Sequence, residues 1–420
     1  MKFAFITPRY GADISTGAEH ACRLIAEQVS RRHDVEVLTT CARNPRTWSN
    51  EYSEGVDRVR GALVRRFGVS QVDPASRAAR SRMPSPLTRS DELEWVKRTG
   101  PWSPGLLDYL KRQHRNYDVI VFFSIANPLT ISGLRLAPDR SVLFPHLQLQ
   151  PELRFGSFAD ALASAGAVGY ISAAERRLVR SYIRVTPRDE EVVGVGIDPS
   201  PEQAYPRHQQ DPADAISSED DEGASAEEQE PATYLTGRGV PFRRRHRLYG
   251  SFAIYSGRVE PDNGSEEMLD YFDSYAASDA DTALVLMGVK MMKVPEERYV
   301  RLAGVLPERE RMIAYEAADV TIAPASDDLT AQPVLESFAV GTPVLACARN
   351  EAAVEHCRRA NAGLFYASRD EFVEALRLIL TNKRLHHRLS ENGRNYVKLQ
   401  YRWDAVLGRF DRLVSRVRGR

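Results

Sequence analysis

The sequence has no long hydrophobic run. No apolar stretch approaches the roughly eighteen residues that a membrane-spanning helix needs. The apolar run near the amino terminus, residues 3–6, is also far too short for the apolar segment of a secretory signal peptide. We therefore expect a soluble cytoplasmic protein, whose contact with the inner membrane, if it has one, is peripheral.

The sequence also lacks net charge, because 57 Lys and Arg residues balance 57 Asp and Glu residues. A strongly basic composition, which nucleic acids and anionic membranes attract, is therefore absent, and we expect no nucleic-acid partner. Cysteine is scarce as well. The four cysteines have no metal-ligand spacing and are too few for a disulfide scaffold, so we predict reduced thiols: Cys22, Cys41, Cys347 and Cys357.

The length of 420 residues exceeds what one hydrophobic core usually supports, which predicts two domains. Short β-rich apolar runs alternate with amphipathic helical segments along both halves of the chain. The runs cover residues 3–6, 35–40, 63–69, 119–124, 141–144, 168–171 and 192–197, and then 252–255, 283–287, 320–323, 344–346 and 363–366. Apolar strands separated by helices predict parallel sheets covered on both faces. The predicted fold class is α/β, with two Rossmann-like domains in tandem.

An acidic insertion separates the two series of runs. Residues 211–230 contain many Asp and Glu, no Lys or Arg and almost no large apolar side chain. Such a segment cannot bury enough surface to offset its ordering entropy, so we predict disorder over residues 206–237. The predicted organisation is a first domain over 1–200, a linker over 201–247, a second domain over 248–400 and a carboxyl-terminal helix over 401–420 that returns to the first domain.

Two glycine-containing loops follow predicted strands, where ligands of parallel sheets bind. Gly17 stands between the first strand and its helix, and a glycine there lets main-chain N–H groups approach a phosphate. In the second domain, Gly257-Arg258 follows the run 252–255. An arginine there can hold a diphosphate through two hydrogen bonds. The alternatives are a simple turn at Gly17 and a surface arginine paired with Glu260 or Asp262.

The most informative segment is residues 323–346. A strand ends, an acidic loop containing Asp328 follows, and a helix begins near Pro333 and ends at Gly341. Glu336 lies inside that helix. A helix start lined with N–H groups suits a diphosphate, and a carboxylate suits ribose hydroxyls, although a capped structural helix would also fit the pattern.

With these segments the chain resembles a family 4 glycosyltransferase, a member of the large retaining group with the GT-B fold. The matching segments are Gly17-Ala18-Glu19, Gly257-Arg258 and the acidic-x7-Glu pattern from Asp328 to Glu336 with its Gly-Thr-Pro-Val tail. The chain resembles more closely a bacterial branch from polysaccharide gene clusters, on residues 38–43, 47–50, 105–106, 117–120 and 357–366. The GT-B fold implies two Rossmann-like domains whose parallel sheets face each other across a cleft.

The resemblance also implies roles for individual residues. The second domain would bind a nucleoside-diphosphate sugar, and the first domain a glycan or lipid-linked acceptor, with no metal ion and no other cofactor. Glu336 would hold the ribose hydroxyls and Arg258 the leaving diphosphate, which Gly17 would approach from the first domain. The main-chain amides of Thr330 and Ala331 would face the diphosphate or the donor sugar, and the loop containing Val305 would lie beside the base.

Three positions depart from the family pattern. The family usually places a Lys five residues after the Arg, where this chain has Asn263, and begins the acidic pair with Glu, where it has Asp328. It usually places a His after the fifth strand, where this chain has Gln148, and His146 lies two residues earlier. Losing a cation at a leaving diphosphate costs about 2–4 kcal/mol of transition-state stabilisation, so we expect weakened catalysis and retained nucleotide binding.

Three functions are compatible with the sequence. The first is an active retaining glycosyltransferase that builds a surface polysaccharide. The second is a catalytically degenerate subunit that binds nucleotide sugar or pairs with an active partner glycosyltransferase. The third is a sugar-nucleotide 2-epimerase, which needs acidic and His groups that the predicted strand ends do not supply. The basic segment with Arg77, Arg80, Arg82 and Arg89 could meet a lipid-linked phosphate at a membrane surface.

Overall fold

The computed structural model describes residues 1–14, 17–70, 88–147, 151–198, 239–279, 281–326 and 329–418. It divides into two compact units. Unit 1 consists of Met1–Gly196 together with Trp403–Arg420, and unit 2 consists of Ile197–Arg402. The predicted acidic insertion, most of the basic segment that precedes Arg89, and the site candidates Gln148 and Asp328 lie outside the described residues.

The described part of unit 1 contains one eight-stranded sheet with the order β3-β4-β2-β1-β5-β6-β7-β8. The strands are β1 Lys2–Ile6, β2 Asp34–Thr40, β3 Gly55–Val59, β4 Ala62–Phe67, β5 Val119–Phe123, β6 Ser141–Phe144, β7 Ala167–Tyr170 and β8 Glu190–Val192. Neighbouring strands pair in parallel except β3 and β4, which form an antiparallel hairpin. The predicted parallel sheet is therefore present, with one antiparallel edge strand, β3, that was not predicted.

Helices connect these strands, as continuous apolar strands require. They are α1 Gly17–Ser30, α2 Arg89–Thr99, α3 Pro104–Gln113, α4 Pro128–Leu134, α5 Gly156–Ser164 and α6 Ala173–Leu178. A helix from the other end of the chain, α14 Trp403–Arg418, completes the unit. Its Phe410 lies against Phe3, Phe5 and Phe144, with ring centroids 6.0–6.4 Å apart. One of the two main cores of unit 1 therefore includes α14.

The described part of unit 2 contains one six-stranded sheet, parallel throughout, with the order β11-β10-β9-β12-β13-β14. The strands are β9 Phe252–Ser256, β10 Ala283–Met287, β11 Val300–Gly304, β12 Val320–Ala323, β13 Val344–Cys347 and β14 Gly363–Tyr366. The helices are α7 Val240–Arg245, α8 Ser265–Ala276, α9 Glu308–Ala317, α10 Gln332–Val340, α11 Glu351–Ala360, α12 Arg369–Thr381 and α13 Lys383–Gln400. Among the described residues, no helix is long and apolar enough to cross a membrane.

Strand β11 was not predicted from the sequence, and two other segments differ from their predictions. The last strand of unit 1 covers Glu190–Val192 rather than residues 192–197, because the apolar side chains of Val193 and Val195 enter the core from an irregular segment. Residues 240–245, placed in the linker by their charge, form helix α7 in unit 2. Phe242 of that helix packs against Phe252, and the Arg243 guanidinium donates to the carbonyl of Ala317.

Candidate functional site

The sheet of unit 2 has one point where the chain reverses its direction of strand addition. From β9 the chain adds β10 and β11 on one side, and then β12, β13 and β14 on the other. Ligands of open parallel sheets bind at such a switch point, at the carboxyl ends of the two central strands. The loops after β9 and β12 are therefore the candidate site, and they contain Arg258, Asn263, Thr330 and Ala331.

The two loops approach each other closely at Gly264. This residue has φ +64° and precedes helix α8, and a Cβ atom there would lie 2.8 Å from the main-chain oxygen of Ala325. Any other residue would therefore be both strained and in collision with the loop after β12. A glycine at this position lets the main chains of the two loops meet at the switch point.

Arg258 lies in a small polar cluster after β9. Its Nη2 atom is 3.0 Å from Oε1 of Glu260, and its side chain is 63% exposed. Asn263 Nδ2 donates to the same Glu260 oxygen at 2.9 Å and to the carbonyl of Arg258 at 3.3 Å. The structure thus brings Arg258 and Asn263 together, and it also shows the pairing with Glu260 that the sequence left open as an alternative. The cation faces solvent with a carboxylate beside it.

Glu336 is buried on helix α10, the helix that follows β12. Both of its oxygens accept from Arg311 of helix α9, with Nε to Oε2 at 2.8 Å and Nη2 to Oε1 at 2.7 Å. Gln332 Nε2 donates to Oε1 at 2.9 Å. The side chains of Arg311 and Glu336 are 18% and 6% exposed. Burial opposes the charge on Arg311, but the neighbouring Glu336 carboxylate outweighs burial and raises the pKa of Arg311 above its ordinary value.

Helix α10 begins with an unusual main-chain conformation. Ala331, at its N-cap, has φ +47° and ψ 32°, in the left-handed region that non-glycine residues adopt at a cost of about 1–2 kcal/mol. Its carbonyl accepts from the N–H groups of Val334 and Leu335. Strain of this kind persists only where the surrounding structure imposes it, which occurs often at ligand sites. The roles predicted for the amides of Thr330 and Ala331 stay predictions.

Val305 follows β11, at the same edge of the sheet. It is 67% exposed, which is unusual for a valine, and the preceding Gly304 has φ +70°. The N–H of Gly288, after β10, donates to the carbonyl of Gly304 at 2.7 Å. The loop containing Val305 is therefore tied to the loop after β10, and it presents an apolar side chain beside the carboxyl ends of the strands.

The loops of unit 1 form a polar cavity after β1 and β2. Arg9, whose side chain is 11% exposed, pairs with Glu19 at 3.0 Å and donates to the carbonyl of Arg43 at 2.9 Å. Asp13 accepts from Arg43 Nε at 2.6 Å and from the Tyr52 hydroxyl at 2.8 Å. The cavity has a volume of about 530 Å³ and is lined by Arg9, Asp13, Ile14, Arg43, Asn44, Pro45, Arg46 and Glu51.

Gly17 lies at the end of the loop after β1. It has φ +74° and is the first residue of α1. A left-handed conformation at the start of a helix is one that glycine adopts without strain, which agrees with a close turn at this point. Its neighbours 15 and 16 lie outside the described residues, so its predicted approach to a diphosphate stays a prediction.

His146 follows β6 and has a left-handed main chain, with φ +47°. The carboxylate of Glu175, fully buried, accepts from the N–H groups of Leu147 and Ile171 at 3.1 and 2.8 Å. Burial raises the pKa of Glu175 to about 7, although hydrogen bonds from three main-chain N–H groups oppose the rise. Glu175 therefore holds the loop after β6 against the end of β7. Glu175 was not predicted, because a Glu on a short helix carries no sequence signal of such a contact.

Arg311 and Gln332 were also missed. Gln332 stands four residues before Glu336 on one helix, a spacing that brings side chains into contact and could have identified it. Arg311 lies 25 residues from Glu336 in a different helix, and a pair of this kind has no sequence signal. Among the described residues, no group of three or more His, Cys, Asp or Glu side chains is arranged to hold a metal ion.

Comparisons with known proteins agree with this geometry. The model of a family described as glycosyl transferases group 1 matches residues 242–396. The matched segment lies within unit 2 and contains Arg258, Asn263, Arg311 and Glu336.

Solved structures resemble the whole chain. A sucrose-phosphate synthase from Thermosynechococcus elongatus is 13% identical with a TM-score of 0.63, and the match covers 99% of this chain and 98% of that chain. HepE from Anabaena, in complex with UDP and glucose, is 14% identical with a TM-score of 0.67, covering 99% of each chain. WaaG, a glycosyltransferase involved in lipopolysaccharide biosynthesis, is 16% identical with a TM-score of 0.60, covering 98% of this chain and 99% of that chain.

At these identities the likeness to solved structures shows the fold alone. It confirms the predicted fold class, since both parallel-sheet units are covered by proteins of the GT-B type. The chain has the GT-B fold, and the match of its second unit to the group 1 glycosyl transferases supports a GT-B glycosyltransferase.

Proposed function

We propose that the protein transfers a sugar, with retention of configuration, from a nucleoside-diphosphate sugar to a glycan or lipid-linked acceptor in surface polysaccharide biosynthesis. The observation that carries the proposal is the switch point of unit 2. There an exposed arginine follows β9, and a buried carboxylate lies on the helix after β12, within the segment that matches the group 1 family. UDP-sugars are the first donors to test, because HepE was solved with UDP and glucose.

The proposed chemistry breaks the bond between the anomeric carbon and the diphosphate oxygen. The acceptor hydroxyl forms a new bond to that carbon and passes its proton to the oxygen of the departing diphosphate, and the nucleoside diphosphate leaves. Arg258 stabilises the charge that develops on the leaving diphosphate, and Glu336 accepts from the ribose. This assignment uses no metal ion, because side chains and main-chain N–H groups supply the positive charge.

Unit 1 is the proposed acceptor unit. Its cavity of about 530 Å³ is lined by three arginines and two acids, a polar surface that suits hydroxyl-rich ligands. The guanidinium of Arg9 ties the loop after β1 to the loop after β2, which fixes the cavity wall. A lipid-linked acceptor would require peripheral association with the cytoplasmic face of a membrane.

A second candidate function is a degenerate GT-B subunit that binds nucleotide sugar without efficient transfer, alone or beside an active partner glycosyltransferase. The observation that favours it is the cluster after β9. Oε1 of Glu260 accepts from both Arg258 and Asn263. The positive charge at the proposed diphosphate site is therefore partly neutralised, and the second cation that the family resemblance implies is an amide here.

The deciding experiment is donor consumption. The purified protein is first screened by thermal shift against UDP-, GDP- and ADP-sugars, because a ligand that binds the folded state raises the melting temperature. Hydrolysis and transfer of the stabilising donor are then followed with candidate acceptors. Turnover supports the transferase. Binding without turnover supports the degenerate subunit, and the absence of any binding contradicts both.

Replacing Glu336 with glutamine is expected to weaken the binding of the preferred nucleoside diphosphate by about 1.5–3 kcal/mol, or roughly 10- to 150-fold, since a charge-assisted hydrogen bond is lost. Glutamine keeps the size of the side chain and an acceptor for Arg311. Titration calorimetry measures the change, with Glu374→Gln, an exposed glutamate on α12, as the control. Unchanged affinity in a folded Glu336→Gln protein removes the ribose assignment.

Replacing Asn263 with lysine is expected to raise donor hydrolysis or transfer about tenfold, which corresponds to about 1.4 kcal/mol of barrier. The lysine would meet Glu260 and release Arg258 from it, and it would add positive charge beside the diphosphate. Asp262→Asn makes the same change of charge one residue away and is the control. The natural protein could already turn over at the rate of an ordinary transferase, with Asn263→Lys lowering that rate. In that case Asn263 is an adaptation to a particular substrate, and the prediction of weakened catalysis is wrong.

A further inference from the structure

Hydrogen bonds within the protein occupy most of the acceptor positions of the Glu336 carboxylate. Oε1 accepts from Arg311 Nη2 at 2.7 Å and from Gln332 Nε2 at 2.9 Å, and Oε2 accepts from Arg311 Nε at 2.8 Å. A carboxylate offers about four acceptor positions, two on each oxygen. In the described part of the chain, three are therefore occupied, and the remaining one is on Oε2.

We propose that Glu336 recognises one hydroxyl of the donor ribose and not the pair, and that Arg311 and Gln332 are the residues that determine this. The inference rests on the proposed function, since it concerns the nucleoside diphosphate of that same site. A ribose held through both of its hydroxyls needs two free acceptor positions on the carboxylate. The geometry leaves one free acceptor position, because Gln332 and Arg311 occupy both positions on Oε1.

Arg311 is bound to Glu336 too strongly for a ligand to displace it. Its guanidinium is bound to Glu336 through two parallel hydrogen bonds, the strongest arrangement that this pair can form. Glu336 is buried and Arg311 is partly buried, so a ligand that displaced Arg311 would leave the buried carboxylate without its partner. Arg311 is thus a positioning residue, which fixes the plane of the carboxylate and directs the free position of Oε2.

The hydrogen bond from Gln332 to Glu336 has a neutral donor and is weaker than the ion pair with Arg311. It stands on the same helix as Glu336, four residues earlier, and is only partly buried. Its removal frees one acceptor position on Oε1 and leaves the ion pair with Arg311 in place. The chain therefore offers a variant that changes the number of acceptor positions without breaking the buried ion pair.

The test uses the full-length protein and calorimetric dissociation constants. UDP, GDP and ADP are compared first, and the tightest is then compared with its 2′-deoxy and 3′-deoxy analogues. For the natural sequence we expect one of the two analogues to bind about tenfold more weakly and the other to bind within about twofold of the parent. For Gln332→Ala we expect both analogues to bind about tenfold more weakly than the parent, because a second hydroxyl now finds an acceptor.

Arg311→Lys is the second variant. Lysine keeps the charge but cannot form the two parallel bonds, so the orientation of the carboxylate is lost. We expect the affinity for the parent nucleotide to fall to the affinity that the natural protein has for its poorly bound deoxy analogue. The affinity for that analogue should stay the same in the variant. A purely structural role for Arg311 would weaken the parent and both analogues by the same factor and would leave the ratios unchanged.

Three outcomes overturn the inference. If the natural protein loses the same affinity for both analogues, the ligand displaces Gln332 and Glu336 holds two hydroxyls. The proposed function is then unaffected. No penalty for either analogue removes Glu336 from ribose binding. If Gln332→Ala lowers the affinity for the parent and for both analogues by the same factor, Gln332 contacts another part of the ligand. By contrast, if none of the three nucleotides binds, the proposed function itself fails.

Discussion

Replacing Arg311 with leucine is expected to lower the free energy of unfolding by about 3–5 kcal/mol, because it leaves the buried Glu336 carboxylate without its partner. The remaining contact from Gln332 is a single hydrogen bond and cannot offset the loss of a full positive charge. Urea denaturation measures the change, provided that unit 2 gives a resolved transition.

Two further variants distinguish this explanation from a general loss of packing. Arg245→Leu removes an exposed arginine that pairs with Glu310, and we expect a change below about 1 kcal/mol. The double variant Arg311→Leu, Glu336→Leu removes both charges and should recover most of the lost stability. If the double variant is as unstable as Arg311→Leu, the cause lies in packing and not in the unpaired carboxylate.

Replacing Arg258 with alanine is expected to lower turnover about 30- to 1000-fold, since a cation beside a leaving diphosphate contributes about 2–4 kcal/mol to transition-state stabilisation. The affinity for the donor should fall much less than kcat, because the charge on the diphosphate develops as the bond breaks. Steady-state kinetics with the preferred donor separate the two effects.

Arg349→Ala is the matched control. Like Arg258, Arg349 is exposed, with 64% of its side chain accessible, and it pairs with a single glutamate, Glu267. It should leave kcat within about twofold of the natural value. Arg258→Lys should retain part of the activity, because lysine keeps the charge and loses the paired hydrogen bonds. A change below threefold for Arg258→Ala would show that Arg258 is a surface arginine paired with Glu260 and would favour the degenerate subunit.

The sequence predicted most of the two sheets, because buried parallel strands are short continuous apolar runs. The strand before Arg258, for example, was predicted over 252–255 and is found at Phe252–Ser256. The hairpin strand β3, Gly55–Val59, was missed because its side chains are mostly exposed and carry no apolar run. An edge strand that pairs on one side only needs no apolar pattern.

The candidate site was predictable only where it is local in sequence. Arg258 and Asn263 share one loop, and their five-residue spacing places them in contact with the same carboxylate. The partner of Glu336 could not be predicted, because Arg311 belongs to another helix and meets Glu336 only after the sheet has formed. Ala331 shows a third kind of limit: its left-handed conformation contradicts its own preference, and the surrounding fold imposes it.

The position of helix α14 in unit 1 affects how the chain folds during its synthesis. Phe410 and Leu413 of this helix belong to the same core as Phe3 and Phe5, yet the ribosome makes residues 403–418 after all of unit 2. Unit 2 is continuous in sequence and can close its core without a segment from elsewhere in the chain. Unit 1, although made first, exposes apolar surface until α14 arrives. We expect the second unit of the nascent chain to fold first, in reverse of the order in which domains usually fold.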